Sequence, residues 1–139
     1  MTGILIVTHA NLGAALIETL EFILGERQNK LESISIDIKQ DPERLRKKIK
    51  QGIKQVYCEN GVIILTDMFG GTPSNLAYAF LEEEKVEVIS GVNLPILLKA
   101  VTSREKMEIK ALTVALIEHG KKSISLASDI LKGTRRSSS

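Results

Sequence analysis

Short apolar runs alternate with longer segments of mixed polarity along most of this chain. Residues 4–7 and 62–65 are wholly apolar and rich in β-branched side chains, which is typical of strands buried on both faces of a sheet. Isoleucines alternate with polar residues over 33–38, which predicts a half-buried strand near a sheet edge. A fourth strand is predicted at residues 86–90.

The segments between these strands carry signals for the ends of helices. Residues 12–24 have apolar side chains at helical spacing, and Gly25 follows them as a typical C-terminal cap. Asp41 and Pro42 predict the start of a second helix, because Asp is a good N-cap and Pro fits the first turn. Each helix therefore follows a strand directly.

The first half of the second helix carries a dense run of basic residues. Such a run is most often a solvated helix face, and a docking surface for an acidic partner is the alternative. The residues are Arg44, Arg46, Lys47, Lys48 and Lys50.

Two more helices are predicted around prolines. Thr72 is expected to cap a helix that begins at Pro73 and runs to about Glu83. Asn93 is expected to cap another helix, in which Pro95 occupies the first turn.

The C-terminal part of the chain is less regular. A last long helix is predicted from Ser103 to Gly120. Residues 123–131 fit either an edge strand or a helix, and their periodicity does not decide between the two. Residues 133–139 form a polar segment that we expect to be disordered, which leaves one domain over residues 1–132.

The predicted order βαβαβαβαα is typical of an α/β protein. It favours a doubly wound, flavodoxin-like domain with a mostly parallel sheet in the strand order 2-1-3-4. His9 and Asp67 directly follow the first and third strands, which are neighbours in that order. Because adjacent strands lie about 4.8 Å apart, we expect the two side chains to meet in one crevice.

Composition narrows the class of protein. The net charge is only +2 and there is no Trp, so the basic, aromatic-rich surface of a nucleic-acid-binding protein is missing. The apolar runs are too short to span a membrane and the N-terminus is unlike a signal peptide, so we expect a cytoplasmic protein without direct membrane insertion. Cys58 is the one cysteine and cannot form an internal disulfide.

A histidine beside a carboxylate suggests phosphoryl transfer. A carboxylate that accepts one imidazole N–H fixes the tautomer and leaves the other nitrogen free to attack an electrophile. The backbone amides of Gly70, Gly71 and Thr72 are expected to stabilise a phosphoryl group on His9. The alternatives are that Asp67 and the glycines only shape a turn, or that the crevice is a non-enzymatic binding site for a small anion.

Other chemistries fit the residues less well. No Gly-x-Ser-x-Gly or Walker sequence is present, and the turn after the first strand lacks the glycines of a dinucleotide site. His9 and Asp67 are too few ligands for zinc, so we expect neither a metal nor a cofactor. His119 precedes a glycine near a predicted helix end, where a structural or exposed role is expected.

Three ordered blocks of sequence resemble one protein family. The strand that ends at Thr8-His9, the block at residues 65–75 and the block at residues 90–95 are together similar to the mannose-type IIA component of the bacterial phosphoenolpyruvate:sugar phosphotransferase system. The resemblance covers about residues 2–130. It implies a phosphotransferase that forms a phosphohistidine at His9, with Asp67 as the residue that orients the imidazole.

The resemblance also implies partners. Phospho-HPr would be the phosphoryl donor, a IIB component the acceptor, and sugar uptake the outcome. Our own hypothesis is that Phe69 and the rim near Asn11 and Asn93 contact these proteins. A homodimer is implied in which an antiparallel C-terminal edge strand is exchanged between subunits. That would make residues 123–127 a strand.

Two departures from the family pattern are visible. The residue after the histidine, often Gly in the family, is Ala10 here. No IIB domain follows the IIA-like region, so the acceptor is expected to be a separate chain. A regulatory IIA of a reduced system and a phosphoryl donor to dihydroxyacetone kinase are the related alternatives.

Overall fold

The computed structural model describes residues 1–133, whose centre is a four-stranded parallel sheet. The strand order is β2-β1-β3-β4, so the predicted order 2-1-3-4 and the α/β class are confirmed. The two apolar runs form the two central strands. The strands are β1 Gly3–His9, β2 Leu31–Ile36, β3 Val62–Thr66 and β4 Val86–Ser90.

Helices cover both faces of this sheet. Helices α1, α4 and α5 bury one face, where Ile4, Ile6 and Ile63 belong to one apolar cluster. Helices α2 and α3 bury the other face against Leu5 and Ile64. Burial on both faces explains why the central strands do not alternate in polarity. The helices are α1 Leu12–Leu24, α2 Pro42–Val56, α3 Thr72–Ala77, α4 Leu94–Ser103, α5 Ile109–Lys122 and α6 Ala127–Leu131.

Several predicted helix ends are confirmed. Gly25 has φ 77° and donates its N–H to the Glu21 carbonyl, as a left-handed C-terminal cap does. The Asn93 side chain accepts the Ile96 N–H at 2.8 Å and so caps α4. Asp41 takes the N-cap position of α2 without a capping hydrogen bond from its side chain.

The predicted limits of α3 are wrong at both ends. Gly71 takes the N-cap position and Thr72 is the first helical residue. The α-helix ends at Ala77 and becomes a 3₁₀ turn over Tyr78–Phe80. The chain then turns sharply into β4, because Glu82 and Val86 exchange two backbone hydrogen bonds of 2.8 and 3.1 Å. The sequence pattern ran the helix to about Glu83 and predicted a polar turn over residues 82–84, and the turn lies there in the structure.

The predicted helix from Ser103 to Gly120 is also shifted. Ser103 is the last residue of α4, and α5 begins at Ile109 after a short turn. Gly120 lies inside α5 and is buried, because the Ile96 side chain packs directly on its backbone. A Cβ on Gly120 would lie 2.6 Å from Ile96 Cδ1. The glycine therefore permits close helix packing and does not end the helix.

The segment after α5 is not part of the sheet in this single chain. Residues 124–126 have no regular structure and α6 begins at Ala127. The side chains of Ile124 and Leu126 are exposed. The strand that the family resemblance implies here needs a second subunit and stays a prediction. Apart from Gly133, the tail predicted to be disordered lies outside the described residues.

The basic residues of α2 lie on its exposed face. In the described part of the chain, the ion pair between Arg46 and Glu43 is the one salt bridge of this helix. The apolar face of α2 packs on the sheet through Leu45, Ile49 and Val56.

A buried arginine closes the amino-terminal edge of the sheet. Arg104 is 3% exposed, and its guanidinium donates hydrogen bonds to the carbonyls of Thr2, Asn29 and Lys30. Burial lowers the pKa of Arg104 from its ordinary value. This edge is opposite the one that carries His9. Within residues 1–133, no helix is long and apolar enough to cross a membrane.

Candidate functional site

The side chains of His9 and Asp67 lie in contact at the carboxyl edge of the sheet. Strands β1 and β3 pair in parallel with Val7 opposite Thr66, which leaves His9 and Asp67 just beyond the paired residues. His9 Nδ1 is 2.7 Å from Asp67 Oδ2, and the His9 backbone N–H donates to the same oxygen at 2.9 Å. The strand order thus brings together two residues that are 58 positions apart.

The Asp67 carboxylate is held by three donors. Its other oxygen, Oδ1, accepts the Met68 N–H at 3.0 Å. Burial raises the pKa of Asp67, but the hydrogen bonds from the His9 backbone and imidazole outweigh burial, and the pKa lies below its ordinary value. The carboxylate is therefore charged at neutral pH, and its Oδ2 accepts a hydrogen bond from an Nδ1 that carries a proton.

This arrangement leaves His9 Nε2 as the free nitrogen of the ring. The His9 side chain is 41% exposed, whereas that of Asp67 is 11% exposed. A partner can thus reach the imidazole while the carboxylate behind it stays shielded. Such a pair has a fixed tautomer and an accessible nucleophile.

The glycine turn passes beneath the imidazole. A Cβ on Gly71 would lie 2.9 Å from His9 Cε1, so a larger residue would displace the ring. Gly70 has φ 85°, a left-handed conformation that favours glycine. Thr72 is half-buried at the start of α3. Within the first turn of α3, Pro73 has no N–H and the Asn75 N–H donates to the Gly71 carbonyl at 3.0 Å.

The three residues expected to contact partner proteins lie in different surroundings. Asn11 directly precedes α1, and its Oδ1 accepts a hydrogen bond from Ser35 Oγ at 3.3 Å. Phe69 is 79% exposed and lies 6.4 Å from the Tyr78 ring, measured between centroids. Asn93 uses its side-chain oxygen to cap α4 and its Nδ2 to donate to Ser123 Oγ at 3.4 Å. The structure therefore gives Asn93 a role in the fold.

An open apolar groove of about 740 Å³ runs along β4, the outer strand beside the site. Phe69 and Asn93 both line it, whereas Asn11 does not. Exposed Ile124, from the segment after α5, lies at the same groove. The groove thus connects the surface near His9 with the C-terminal part of the chain.

A cluster of hydroxyl groups, buried at Thr66 and Ser74 and half-buried at Tyr78 and Ser90, lies behind the Asp67 turn, and the sequence reasoning missed it. Thr66 Oγ1 lies 2.5 Å from Ser74 Oγ and 2.9 Å from Ser90 Oγ. Tyr78 OH lies 3.4 Å from Ser90 Oγ. The sequence did contain a signal for this cluster, because Thr66 and Ser90 are the polar residues at the ends of β3 and β4. The two residues are opposite each other in the strand register.

The residue after the histidine adopts an unusual backbone conformation. Ala10 has φ 48°, which lies in the left-handed region. A glycine at this position would adopt the conformation without steric cost. Within residues 1–133, no group of three or more His, Cys, Asp or Glu side chains is arranged to hold a metal ion.

The chain is similar to known proteins over most of its length. Residues 3–117 match the family EIIA-man, described as the PTS system fructose IIA component. The chain is 33% identical to the PTS system fructose-specific EIIA component of Bacillus subtilis, over 95% of this chain and 90% of that protein. It is also 33% identical to the PTS system mannose-specific EIIAB component of Escherichia coli, over 74% of this chain and 32% of that protein.

A solved structure shows the same fold. The crystal structure of the phosphotransferase system component EIIA from Streptococcus agalactiae superposes with a TM-score of 0.82 and 29% identity, over 92% of this chain and 98% of that chain. The fold, the sequence match and the ordered blocks thus agree on one family. The chain belongs to the mannose-type family of IIA components of the sugar phosphotransferase system.

Proposed function

We propose that this protein is a phosphohistidine carrier that accepts a phosphoryl group on His9 from phospho-HPr and passes it to a separate IIB component for sugar uptake. The observation that carries the proposal is the His9–Asp67 pair, in which Nδ1 lies 2.7 Å from Asp67 Oδ2 and the His9 side chain is 41% exposed. Family membership supports a phosphotransferase role, and the site supplies a residue able to perform it. The proposal places the protein in the cytoplasm.

In the proposed step, the neutral His9 Nε2 attacks phosphorus in line with the bond to the donor histidine. The new N–P bond forms as the donor's N–P bond breaks, and the donor imidazole leaves with the electron pair of that bond. Positive charge that develops on the His9 ring is stabilised by the Asp67 carboxylate at Nδ1. The phosphoryl oxygens face the amides of Gly70, Gly71 and Thr72. In the second transfer, a nucleophile of the acceptor attacks the phosphorus, and the N–P bond to His9 breaks.

A separate acceptor chain is supported by a contrast between two relatives. The fructose-specific EIIA component of Bacillus subtilis aligns over 90% of its length with this chain, whereas the mannose-specific EIIAB component of Escherichia coli aligns over 32%. The first relative shows that a IIA component occurs as a protein of about this length. The sugar that this chain serves is not part of the proposal, and a regulatory role or phosphoryl donation to dihydroxyacetone kinase would use the same His9 chemistry.

The proposed assembly is a homodimer in which residues 123–127 form an antiparallel strand on the partner subunit. Two observations support it. Beyond the bridge between Glu82 and Val86, the outer edge of β4 pairs with no other strand of residues 1–133, and an apolar groove lies beside it. The nearby segment exposes Ile124 (83%), Leu126, Ile130 and Leu131, which a monomer would leave in water.

Phosphorylation of the purified chain tests the carrier role directly. The protein is incubated with phosphoenolpyruvate, enzyme I and HPr, and its intact mass is measured at mildly alkaline pH, where phosphohistidine is stable. We expect one acid-labile phosphoryl group, absent from His9→Ala. Asp67→Ala should fold and accept the group more slowly, because the imidazole loses its orienting partner.

Two results would contradict the proposal. Retention of the label by His9→Ala would mean that another residue is phosphorylated. No mass change in the wild-type chain, with HPr shown to be phosphorylated in the same mixture, would rule out the carrier role. Equilibrium binding of inorganic phosphate without a covalent label would then favour an anion-binding module.

A further inference from the structure

We infer that Ser74 is a positioning residue that holds the Asp67 turn in place, and so fixes the orientation of His9. The inference rests on the proposed carrier function for its catalytic consequence. Its structural part depends only on contacts within the chain. Ser74 belongs to α3, is fully buried and touches neither His9 nor the expected position of a phosphoryl group.

The Ser74 hydroxyl joins three parts of the protein. Ser74 Oγ donates to the Met68 carbonyl at 2.6 Å, which ties α3 to the turn that carries Asp67. It also lies 2.5 Å from Thr66 Oγ1 at the end of β3 and 3.0 Å from Ser90 Oγ at the end of β4. Because a hydroxyl has one proton and Ser74 gives its own to Met68, it accepts from Thr66 or Ser90.

Met68 transmits this contact to the catalytic pair. Its N–H donates to Asp67 Oδ1 at 3.0 Å, and its carbonyl accepts from Ser74. The backbone N–H and the backbone carbonyl of Met68 are therefore both hydrogen-bonded, the N–H to the Asp67 carboxylate and the carbonyl to Ser74 in the hydroxyl cluster. The other oxygen of the same carboxylate, Asp67 Oδ2, lies 2.7 Å from His9 Nδ1.

The turn has few other attachments to the sheet. The side chains of Met68 and Phe69 are exposed, so they do not anchor the turn in the core. Gly70 follows with φ 85° and no side chain to pack. Within residues 1–133, the hydrogen bond from Ser74 is the one that ties the Met68 carbonyl to α3, whereas the Met68 N–H is tied to β1 through Asp67 and the His9 N–H.

Ser74→Ala tests the inference, with Ser90→Ala as the matched control. Both changes remove one hydroxyl from the same cluster, but only the Ser74 hydroxyl contacts the turn. The imidazole nitrogens of His9 are observed by ¹⁵N NMR at a pH where the ring is neutral. We expect the wild type and Ser90→Ala to keep the proton on Nδ1, and Ser74→Ala to populate the Nε2–H tautomer as well.

Single-turnover transfer from phospho-HPr gives the functional readout. We expect about a tenfold lower rate constant in Ser74→Ala at an unchanged half-saturating donor concentration, because the reacting nitrogen is misplaced while the docking surface is intact. Ser90→Ala should lose less than about twofold. Ser74→Cys, which keeps a weak donor of similar size, should lie between Ser74→Ala and the wild type, and it replaces Ser74→Ala if that variant does not fold.

Equal tautomer populations in Ser74→Ala and the wild type would overturn the inference. So would an equal loss of rate in Ser74→Ala and Ser90→Ala, since this would show that the cluster only supports stability. If the wild-type chain accepts no phosphoryl group, the carrier function fails. The tautomer comparison then still decides whether Ser74 positions His9.

Discussion

At the scale of single residues, the main constraint in the site is the close contact between the His9 ring and the backbone of Gly71. Gly71 has φ −84° and ψ 168°, which any residue can adopt, so its backbone does not require glycine. What requires glycine there is the ring of His9, which a Cβ would approach to 2.9 Å at Cε1. The neighbouring Gly70 has the opposite property, with φ 85° and open space around the missing Cβ.

This contrast gives a pair of variants with opposite expected effects. We expect the free energy of unfolding of Gly71→Ala, measured in urea, to lie within about 1 kcal/mol of the wild-type value. The variant should nevertheless accept a phosphoryl group about tenfold more slowly, because the alanine Cβ displaces the His9 ring. Gly70→Ala should lose about 1–2 kcal/mol of stability to backbone strain and keep more of its transfer rate. Full transfer in Gly71→Ala would show that the ring tolerates the displacement.

The sequence predicted the residues of the pair but not their support. His9 and Asp67 could be found because each follows an apolar run, and neighbouring parallel strands bring such positions together. The hydroxyl cluster depends on contacts between β3, β4 and α3, which no local pattern specifies. Ser74 in particular is a polar residue with no partner nearby in sequence except the Met68 carbonyl.

At the scale of elements, strands and helix starts were easier to predict than helix ends. Apolar runs and prolines are local signals, and they located β1, β3, β4 and the start of α4. The ends of α3 and α5 are set by tertiary contacts instead. Gly120 resembles a helix stop in sequence but is a packing site for Ile96 in the structure.

Helix α2 carries like charges at the spacing where side chains meet. Lys50 is four residues from both Arg46 and Lys54 on the exposed face. Each such pair of like charges costs a few tenths of a kcal/mol, and each opposite pair gains about as much. The charge of the central lysine therefore destabilises the helix slightly.

Replacing that charge should stabilise the protein. We expect Lys50→Glu to raise the free energy of unfolding by about 0.5–1 kcal/mol at low salt, and Lys50→Gln by about half as much. Urea unfolding at about 20 mM and about 1 M salt measures both, and the gain should disappear at the higher ionic strength. A gain that persists at high salt would have a cause other than charge.

At the scale of the whole molecule, the sheet order could be predicted and the assembly could not. The βα repeat and right-handed crossovers leave few topologies, and the observed order is one of the commonest. Residues 123–131 have no such constraint, because in the proposed dimer they would pack against another chain. Their periodicity fits two structures, and the single chain shows α6 preceded by an irregular segment.

The proposed dimer predicts that apolar residues of this segment control association. We expect the wild type to sediment as a dimer at micromolar concentration, and Ile124→Asp with Leu126→Asp to weaken the dimer by at least about 100-fold, since two buried aliphatic contacts are lost. Phe22→Asp is the matched control, because Phe22 is 86% exposed on α1, away from the groove. A monomeric wild type, or dissociation of Phe22→Asp, would contradict the proposed interface.

Arg104 has a consequence for the order in which a growing chain can fold. Its guanidinium bonds the carbonyls of Thr2, Asn29 and Lys30, and it follows the last of these by 74 residues. During synthesis all four strands, with His9 and Asp67, leave the ribosome before Arg104 does. The nascent chain can therefore pair its strands early, while the opposite end of the sheet stays open until α4 has emerged. The edge of the sheet that carries His9 and Asp67 is thus synthesised in full before Arg104, which closes the opposite edge.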